Sequence, residues 1–261
     1  MPILLCVPWV KANPRHMDHL IEFYAFNKAK FDIRLFRMFW KSLYRVQQCA
    51  VNEARRIEAS HILFTEDDQW GYPIDGLDHL LAADKDVIGF KSYFKEYPFK
   101  PMTFRRRNPT DSLIEMNPID HVERGDGPDI QQVDMISWAF TLVNMSVFDR
   151  MHEAGLDPFR QQGPHPTDSF FGQYCSDLGI PIHAHFGFTI GHGDVGPDEI
   201  IYRRRIHEVM EMDKRQTLRV QSEVVARDDH GNPYGNTDLV PEGTKALLNE
   251  QPHAEGEQCV S

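Results

Sequence analysis

The chain has 261 residues and a formal net charge of −11, with 41% hydrophobic and 26% charged residues. That length suits one well-buried core, and that balance excludes fibrous and wholly disordered classes. It lacks the basic footprint of a general nucleic-acid binder, so an anionic substrate would need a local counter-charge from a metal or from clustered arginines.

The first ten residues, Met1 to Val10, are apolar but have no basic lead and no small-residue cleavage site. They read as a first strand, Ile3–Val7, ending at Pro8, and not as a secretion signal. A helix follows over Arg15–Lys28, then a strand over Asp32–Phe36. A second helix is predicted from about Met38 to Ala59, with Phe39, Leu43, Val46, Ala50 and Ala54 on one face. His61–Thr65 is a short apolar run directly after that helix, which makes it a central parallel strand. Pro73 opens a helix to about Ala83, and Asp86–Phe90 is the next strand. This strand–helix alternation predicts an α/β fold with a Rossmann-like, mostly parallel sheet flanked by helices.

From Tyr93 to Asp129 the sequence turns to Pro, Arg and aromatic residues. Strand-like pieces at Met102–Arg105 and Leu113–Met116 predict an antiparallel ribbon at the sheet edge. Val133–Val143 reads as a core strand, and Ser146 as the cap of a helix to Met151. Gln161–Pro166 is a loop. Thr167 caps a helix to Leu178, which Gly179 ends, and Ile180–His185 is a last strand. Gly187–Gly196 is a glycine-rich loop carrying His192, and Asp198–Arg215 is a terminal helix.

Residues 1–220 are expected to form one catalytic domain. Residues 221–261 hold eight acidic and two basic residues and no Phe or Trp, the composition of a flexible acidic tail. Four cysteines without C-x-x-C spacing fit reduced thiols and a cytoplasmic setting. No run reaches the length of a membrane span. Arg105–Arg107 and Arg203–Arg205 read as salt-bridged surface.

Glu66-Asp67-Asp68 is the most informative cluster. At the end of an apolar strand it lies on the carboxyl edge of the sheet, where open α/β folds bind ligands. In extended backbone Glu66 and Asp68 would point the same way and could share a hard cation, Mg²⁺ or Mn²⁺. A solvated acidic turn is the plainer alternative. Asp168, at a helix start, is either a dipole partner or a general base for an acceptor hydroxyl. His192, between glycines, is either a surface histidine or a further metal ligand.

Three segments in order carry a family resemblance: Phe64-Thr65-Glu66-Asp67-Asp68, Thr167-Asp168-Ser169-Phe170-Phe171 followed by Gly179, and Gly191-His192-Gly193. Together they resemble GT-A fold glycosyltransferases of the compact bacterial and phage type. The first looks like that family's acidic metal motif, with Glu66 where Asp is usual. The second is similar to its acceptor-site segment, with Thr167 where an acid is usual. The third looks like the histidine that completes the metal shell.

The resemblance implies a metal-dependent transfer of a sugar from a nucleotide-sugar donor to an unidentified acceptor. Glu66, Asp68 and His192 would hold the metal and Asp168 would activate the acceptor. Pro8, Trp9, Asp32 and Asp67 would lie beside the nucleotide. Two other readings use the same residues: a nucleotidyltransferase or phosphohydrolase working at the acidic edge, and a non-catalytic binding protein that retains the fold.

Overall fold

The structure, a computed structural model, describes residues 1–225 except 10–12, 40–41, 97–98, 116–118, 125–126 and 163–165. It divides at residue 205 into two units, Met1–Arg205 and Ile206–Ser261. The second unit is described only as the continuation of a helix to Val225, so most of the acidic tail lies outside the described residues.

The first half alternates as the hydrophobic pattern predicts. Strand β1 (Ile3–Trp9) leads to helix α1 (Pro14–Lys28), strand β2 (Ile33–Phe39), helix α2 (Leu43–Arg56) and strand β3 (His61–Thr65). The side chain of Asn13 caps α1 by accepting from the Arg15 amide at 3.0 Å, and Pro14 occupies its first turn. Helix α2 begins five residues later than its apolar pattern suggests. Met38 and Phe39 belong to β2, because their backbone pairs with Pro8 and Trp9 of β1. Val46, Ala50 and Ala54 of α2 are fully buried, as their helical spacing requires.

A two-residue strand β4 (Gln69–Trp70), helix α3 (Gly76–Ala82) and strand β5 (Val87–Lys91) follow. Pro73 lies in the turn before α3 and not in the helix. Next come β6 (Thr103–Arg106), β7 (Ile119–His121), β8 (Ile130–Val133), β9 (Met135–Ile136) and β10 (Phe140–Asn144). The apolar stretch from Val133 to Val143 is therefore three short pieces, divided between two sheets. Leu113–Glu115 forms bends, not a strand. Asn144, not Ser146, caps helix α4 (Met145–Glu153): its Oδ1 accepts from the Ser146 amide at 3.0 Å. Helix α5 (Thr167–Asp177), strand β11 (Ile182–Thr189), the short β12 (Gly191–His192) and helix α6 (Pro197–Val225) complete the chain.

Seven strands form one mixed sheet in the order β2-β1-β3-β10-β5-β11-β8. β1 runs parallel to β2 and β3, and β11 runs parallel to β5, while β10 inserts antiparallel between β3 and β5. β3 is thus central, but only one of its neighbours is parallel. The ribbon predicted at the edge is a separate three-stranded sheet, β7-β6-β9. One apolar layer, around Phe64, Trp138, Phe148 and Phe171, packs α2, α4 and α5 on one face. The other, around Phe23, Tyr72, Phe90 and Phe140, packs α1 and α3 on the opposite face. Among the described residues no helix is long and apolar enough to cross a membrane.

Of the arginine clusters, Arg107 pairs with Asp120 on the surface, but Arg204 turns inward onto Glu123 with its side chain only 16% exposed. Near it, Ile200 is buried on α6 and Tyr202 is exposed.

Where β5 meets β10, Gly89 leaves no room for a side chain. A Cβ there would lie 2.3 Å from Thr141 Oγ1 and 3.0 Å from the Phe140 carbonyl oxygen. Gly89→Ala is expected to destabilise the fold by about 1–3 kcal/mol, because central backbone cannot shift as a flexible side chain can. An unchanged urea midpoint in that variant would show that the two strands can part at little cost.

Candidate functional site

The carboxyl ends of β1 and β3 carry the site. The ladder between them ends at Cys6 with Phe64, two residues before Pro8 on one strand and Glu66 on the other. Past Thr65 the chain leaves the sheet in a turn, closed by the Gln69 amide donating to the Glu66 carbonyl at 3.2 Å. Alternation along an extended strand therefore does not bring Glu66 and Asp68 together. The turn sets them near enough for the charge of Asp68 to act on Glu66, and it lets the chain double back as β4.

β4 pairs antiparallel with β12, setting Gln69 opposite His192 and Trp70 opposite Gly191. Two further bonds fasten the loops: the Gly193 amide donates to the Asp68 carbonyl at 2.7 Å, and Trp70 Nε1 donates to the Gly193 carbonyl at 2.8 Å. Gly193 has φ +61, a conformation that side chains resist. Its role is to make this turn. His192 is not displayed at the surface by its neighbouring glycines but is buried at 8% exposure.

His192 Nε2 lies 3.3 Å from Asp68 Oδ2. Its Nδ1 lies 2.7 Å from the Tyr93 carbonyl oxygen. A carbonyl only accepts, so Nδ1 carries a proton and Nε2 is the atom presented to Asp68. Burial lowers the basicity of this imidazole, but the bonds to Asp68 and to Tyr93 outweigh it and the net shift is upward. Burial likewise opposes ionisation of Asp68, but the bond to His192 and the charges of His192 and Lys95 leave its pKa below the usual range.

Glu66 behaves oppositely. Burial and the neighbouring Asp68 charge push it up to about 7, and the charge of Asp168 adds to this. Gln69 Nε2 donates to its Oε2 at 3.3 Å. Asp168, in the first turn of α5, is buried and pushed up to about 6, against a bond from the Ser169 amide to its Oδ1 at 3.0 Å. Glu66 and Asp168 line one cavity of about 240 Å³, with Phe94, Met102, Phe104, Met135 and Trp138 among its walls. Two carboxylates that hold their protons to different pH on one cavity are a recurrent mark of acid–base sites.

The structure brings Glu66, Asp68, His192 and Asp168 into one neighbourhood, with Asp67 half-buried in the same turn. Pro8 is buried at the same sheet edge. Trp9 ends β1 beside Phe39; its side chain lies outside the described set. Asp32 is not in this neighbourhood. It precedes β2, and its carbonyl accepts from the Ile3 amide at 2.9 Å, so it sits at the amino edge, one strand length away. Its carboxylate pairs with Arg34 at 2.8 Å. A strand candidate tells which edge of the sheet a residue occupies only once its direction is known, and Asp32 comes before β2 rather than after it.

Residues the motifs do not mark also build the site. Gln69 holds Glu66 with its side chain and pairs with His192 through its backbone. His16, fully buried on α1, holds the Gln69 carbonyl at 2.6 Å through Nδ1. Asn13 Nδ2 donates to the Gly193 carbonyl at 3.1 Å, and Arg15 stacks over Trp70 at 5.1 Å. A polar Gln-Trp pair beside the acidic turn is the only sequence signal for these. The Tyr93 carbonyl leaves none, since backbone contacts do not depend on residue type.

Two carboxylates and an imidazole oriented by a backbone carbonyl form a donor set suited to a divalent cation. Yet among the described residues no three His, Cys, Asp or Glu side chains are spaced as ligands around one ion. Asp68 and His192 bond to each other instead of converging with Glu66. The arrangement fits an ion carried largely by substrate phosphate and water, with one or two protein carboxylates, the usual way Mg²⁺ is held. It does not fit a closed protein cage with His192 as third ligand.

No protein-family model matches the chain, and no curated protein matches its sequence. Among solved structures it is similar to protein A197 from STIV, at 13% identity and a TM-score of 0.47, covering 76% of this chain and 92% of that one. It is also similar to a glucose-1-phosphate thymidylyltransferase from Bacillus anthracis, at 8% identity and a TM-score of 0.40, covering 78% and 94%. A 4-diphosphocytidyl-2C-methyl-D-erythritol synthase from Anaerococcus prevotii stands at 6% identity and a TM-score of 0.40, covering 79% and 98%.

Proposed function

We propose that the chain is a transferase that uses a divalent cation to move a sugar from a nucleoside diphosphate sugar to an acceptor hydroxyl. One observation carries the reading: two carboxylates of raised pKa, Glu66 and Asp168, line a single cavity at the carboxyl edge of the sheet, and the Asp68–His192 pair belongs to the same turn-and-loop assembly. Asp68 and Glu66 would hold the cation together with the diphosphate. When bound, it would neutralise the charge that the leaving nucleotide develops. His192, fixed by the Tyr93 carbonyl, orients Asp68.

Asp168 accepts the proton of the acceptor hydroxyl as that oxygen bonds to the sugar carbon. The bond from sugar carbon to diphosphate oxygen breaks, and the electron pair leaves with the nucleoside diphosphate. Glu66 is a poor candidate for that base, because one of its oxygens accepts from Gln69 and the other would face the cation.

Nucleotidyl transfer remains the competing chemistry at the same edge. A carboxylate placed apart from the metal-binding turn, against apolar walls, suits a neutral hydroxyl acceptor better than a second phosphate, which it would repel. The experiment is calorimetry of nucleoside diphosphates with and without Mn²⁺. Binding is expected to need Mn²⁺ and to fall at least tenfold in Asp68→Ala, with the melting temperature little changed. Equal affinity in that variant would remove Asp68 from the metal site. Release of pyrophosphate, not of a nucleoside diphosphate, would turn the assignment to nucleotidyl transfer.

A further inference from the structure

The cavity shared by Glu66 and Asp168 has few ways to satisfy a polar guest. Its walls include Leu43, Met102, Phe104, Met135 and the ring of Trp138. The two hydroxyl side chains in its described lining already face protein. Ser137 Oγ lies 2.7 Å from Ser92 Oγ, and Thr167 Oγ1 accepts from Trp138 Nε1 at 3.0 Å. One Asp168 oxygen takes the Ser169 amide, and one Glu66 oxygen takes Gln69 Nε2. Among the described side chains, the remaining hydrogen-bonding capacity is confined to the two carboxylates and to what these two hydroxyls keep beyond those bonds.

We propose that this cavity binds an apolar alcohol, an aromatic or alicyclic ring bearing one hydroxyl, and that this class is the acceptor. The assignment of the alcohol as acceptor rests on the reading of Asp168 as its proton acceptor; the binding itself does not. The size suits the guest: an apolar cavity of about 150 Å³ can hold benzene, and this one is about 240 Å³. A single hydroxyl can donate to Asp168 while the ring lies against Phe104, Met135 and Trp138. A polyhydroxylated sugar would set most of its hydroxyls against Met and Phe side chains, at about 1–3 kcal/mol for each one left unpaired. A pocket can strongly reject a guest whose polar groups it cannot pair.

The test uses the full chain and two kinds of probe in saturation-transfer NMR: benzyl alcohol and cyclohexylmethanol on one side, glucose and its methyl glycoside on the other. The alcohols are expected to bind saturably and at least tenfold more tightly than the sugars. Met102→Trp fills the cavity from its partly buried wall, and should weaken alcohol binding at least tenfold while its melting curve shows it folded. Toluene, which keeps the ring and loses the hydroxyl, should bind more weakly than benzyl alcohol to the native chain, and the two should bind Asp168→Leu, which offers the hydroxyl no partner, equally within about threefold.

The idea is overturned if glucose binds as well as the alcohols and Met102→Trp blocks it. It is also overturned if neither alcohol binds up to about 20 mM, the weak range in which ring-sized fragments are still detected, or if Met102→Trp leaves alcohol binding unchanged. A Mn²⁺–nucleoside diphosphate titration on the same sample separates the two claims. Nucleotide binding without alcohol binding removes the cavity assignment alone. Alcohol binding without nucleotide binding removes the transferase reading alone.

Discussion

Asp168→Asn should cut sugar transfer by about 10²–10⁴-fold, the usual worth of a positioned general base, while making the folded protein more stable at neutral pH. The two effects have one cause. Burial holds the Asp168 carboxyl at a pKa of about 6, against 3.8 for the free group. Between those values the folded chain keeps a proton that the unfolded chain has released. Native stability therefore falls as pH rises from about 4 to about 6, and the loss persists above that range. At 1.36 kcal/mol per pKa unit, the shift corresponds to about 3 kcal/mol.

Asn has the same shape, can still accept from the Ser169 amide, and has no charge to desolvate. Native and variant melting temperatures should coincide below pH 4, and the variant should lead above pH 6. Glu66, pushed up to about 7 by burial and in part by the charge of Asp168, loses that last contribution in the variant, so its effect adds to the variant's lead above pH 6. A variant that melts no higher than the native chain at pH 7 would mean that Asp168 is stabilised by something other than its proton. Full activity in the variant would take the general-base role from it.

Trp138→Ala is expected to cost about 3–5 kcal/mol, the range for removing a buried large aromatic, and to lower the melting temperature by roughly 10 °C or more. Trp138 is 3% exposed and sits 4.8 Å from Phe64, 4.6 Å from Phe171 and 5.5 Å from Phe159 between ring centroids. Phe64 lies two residues before Glu66. Thr167, which accepts from Trp138 Nε1, lies one residue before Asp168. The indole therefore spans the gap between the two carboxylate-bearing elements.

Trp138→Phe separates packing from positioning. It should keep most of the stability but lose the hydrogen bond that sets the start of α5. Its turnover is expected to fall more than its affinity for nucleotide. An unfolding midpoint unchanged in Trp138→Ala would show that Phe64 and Phe171 close the gap unaided.

Several elements were legible because they depend on neighbours in sequence. His61–Thr65 was read with its observed bounds, since a short β-branched and aromatic run after an amphipathic helix has few other uses. Helix α1 began one residue from its predicted start, where Asn13 and Pro14 provide cap and first turn. The stretch over residues 133–143 reads as one strand because apolar content shows burial but not the breaks in the chain. Met135 pairs with Phe104, whereas Phe140 pairs with Thr65. Phe39 reads as helical for a related reason: an apolar residue fits either period, and only its ladder with β1 decides.

The amino-acid sequence by itself determined the α/β alternation, the placing of Glu66-Asp67-Asp68 at the end of an apolar strand, and the start of a helix next to Asp168. These follow from local periodicity and capping. Only the tertiary structure decided that β10 runs antiparallel between β3 and β5, that a turn and not an extended strand presents the acidic residues, that His192 is buried against Tyr93, and that Asp32 lies at the far edge. The physical reason is that strand order, direction and side-chain partnership are set by contacts between residues far apart in the chain. Those contacts leave no mark in local periodicity.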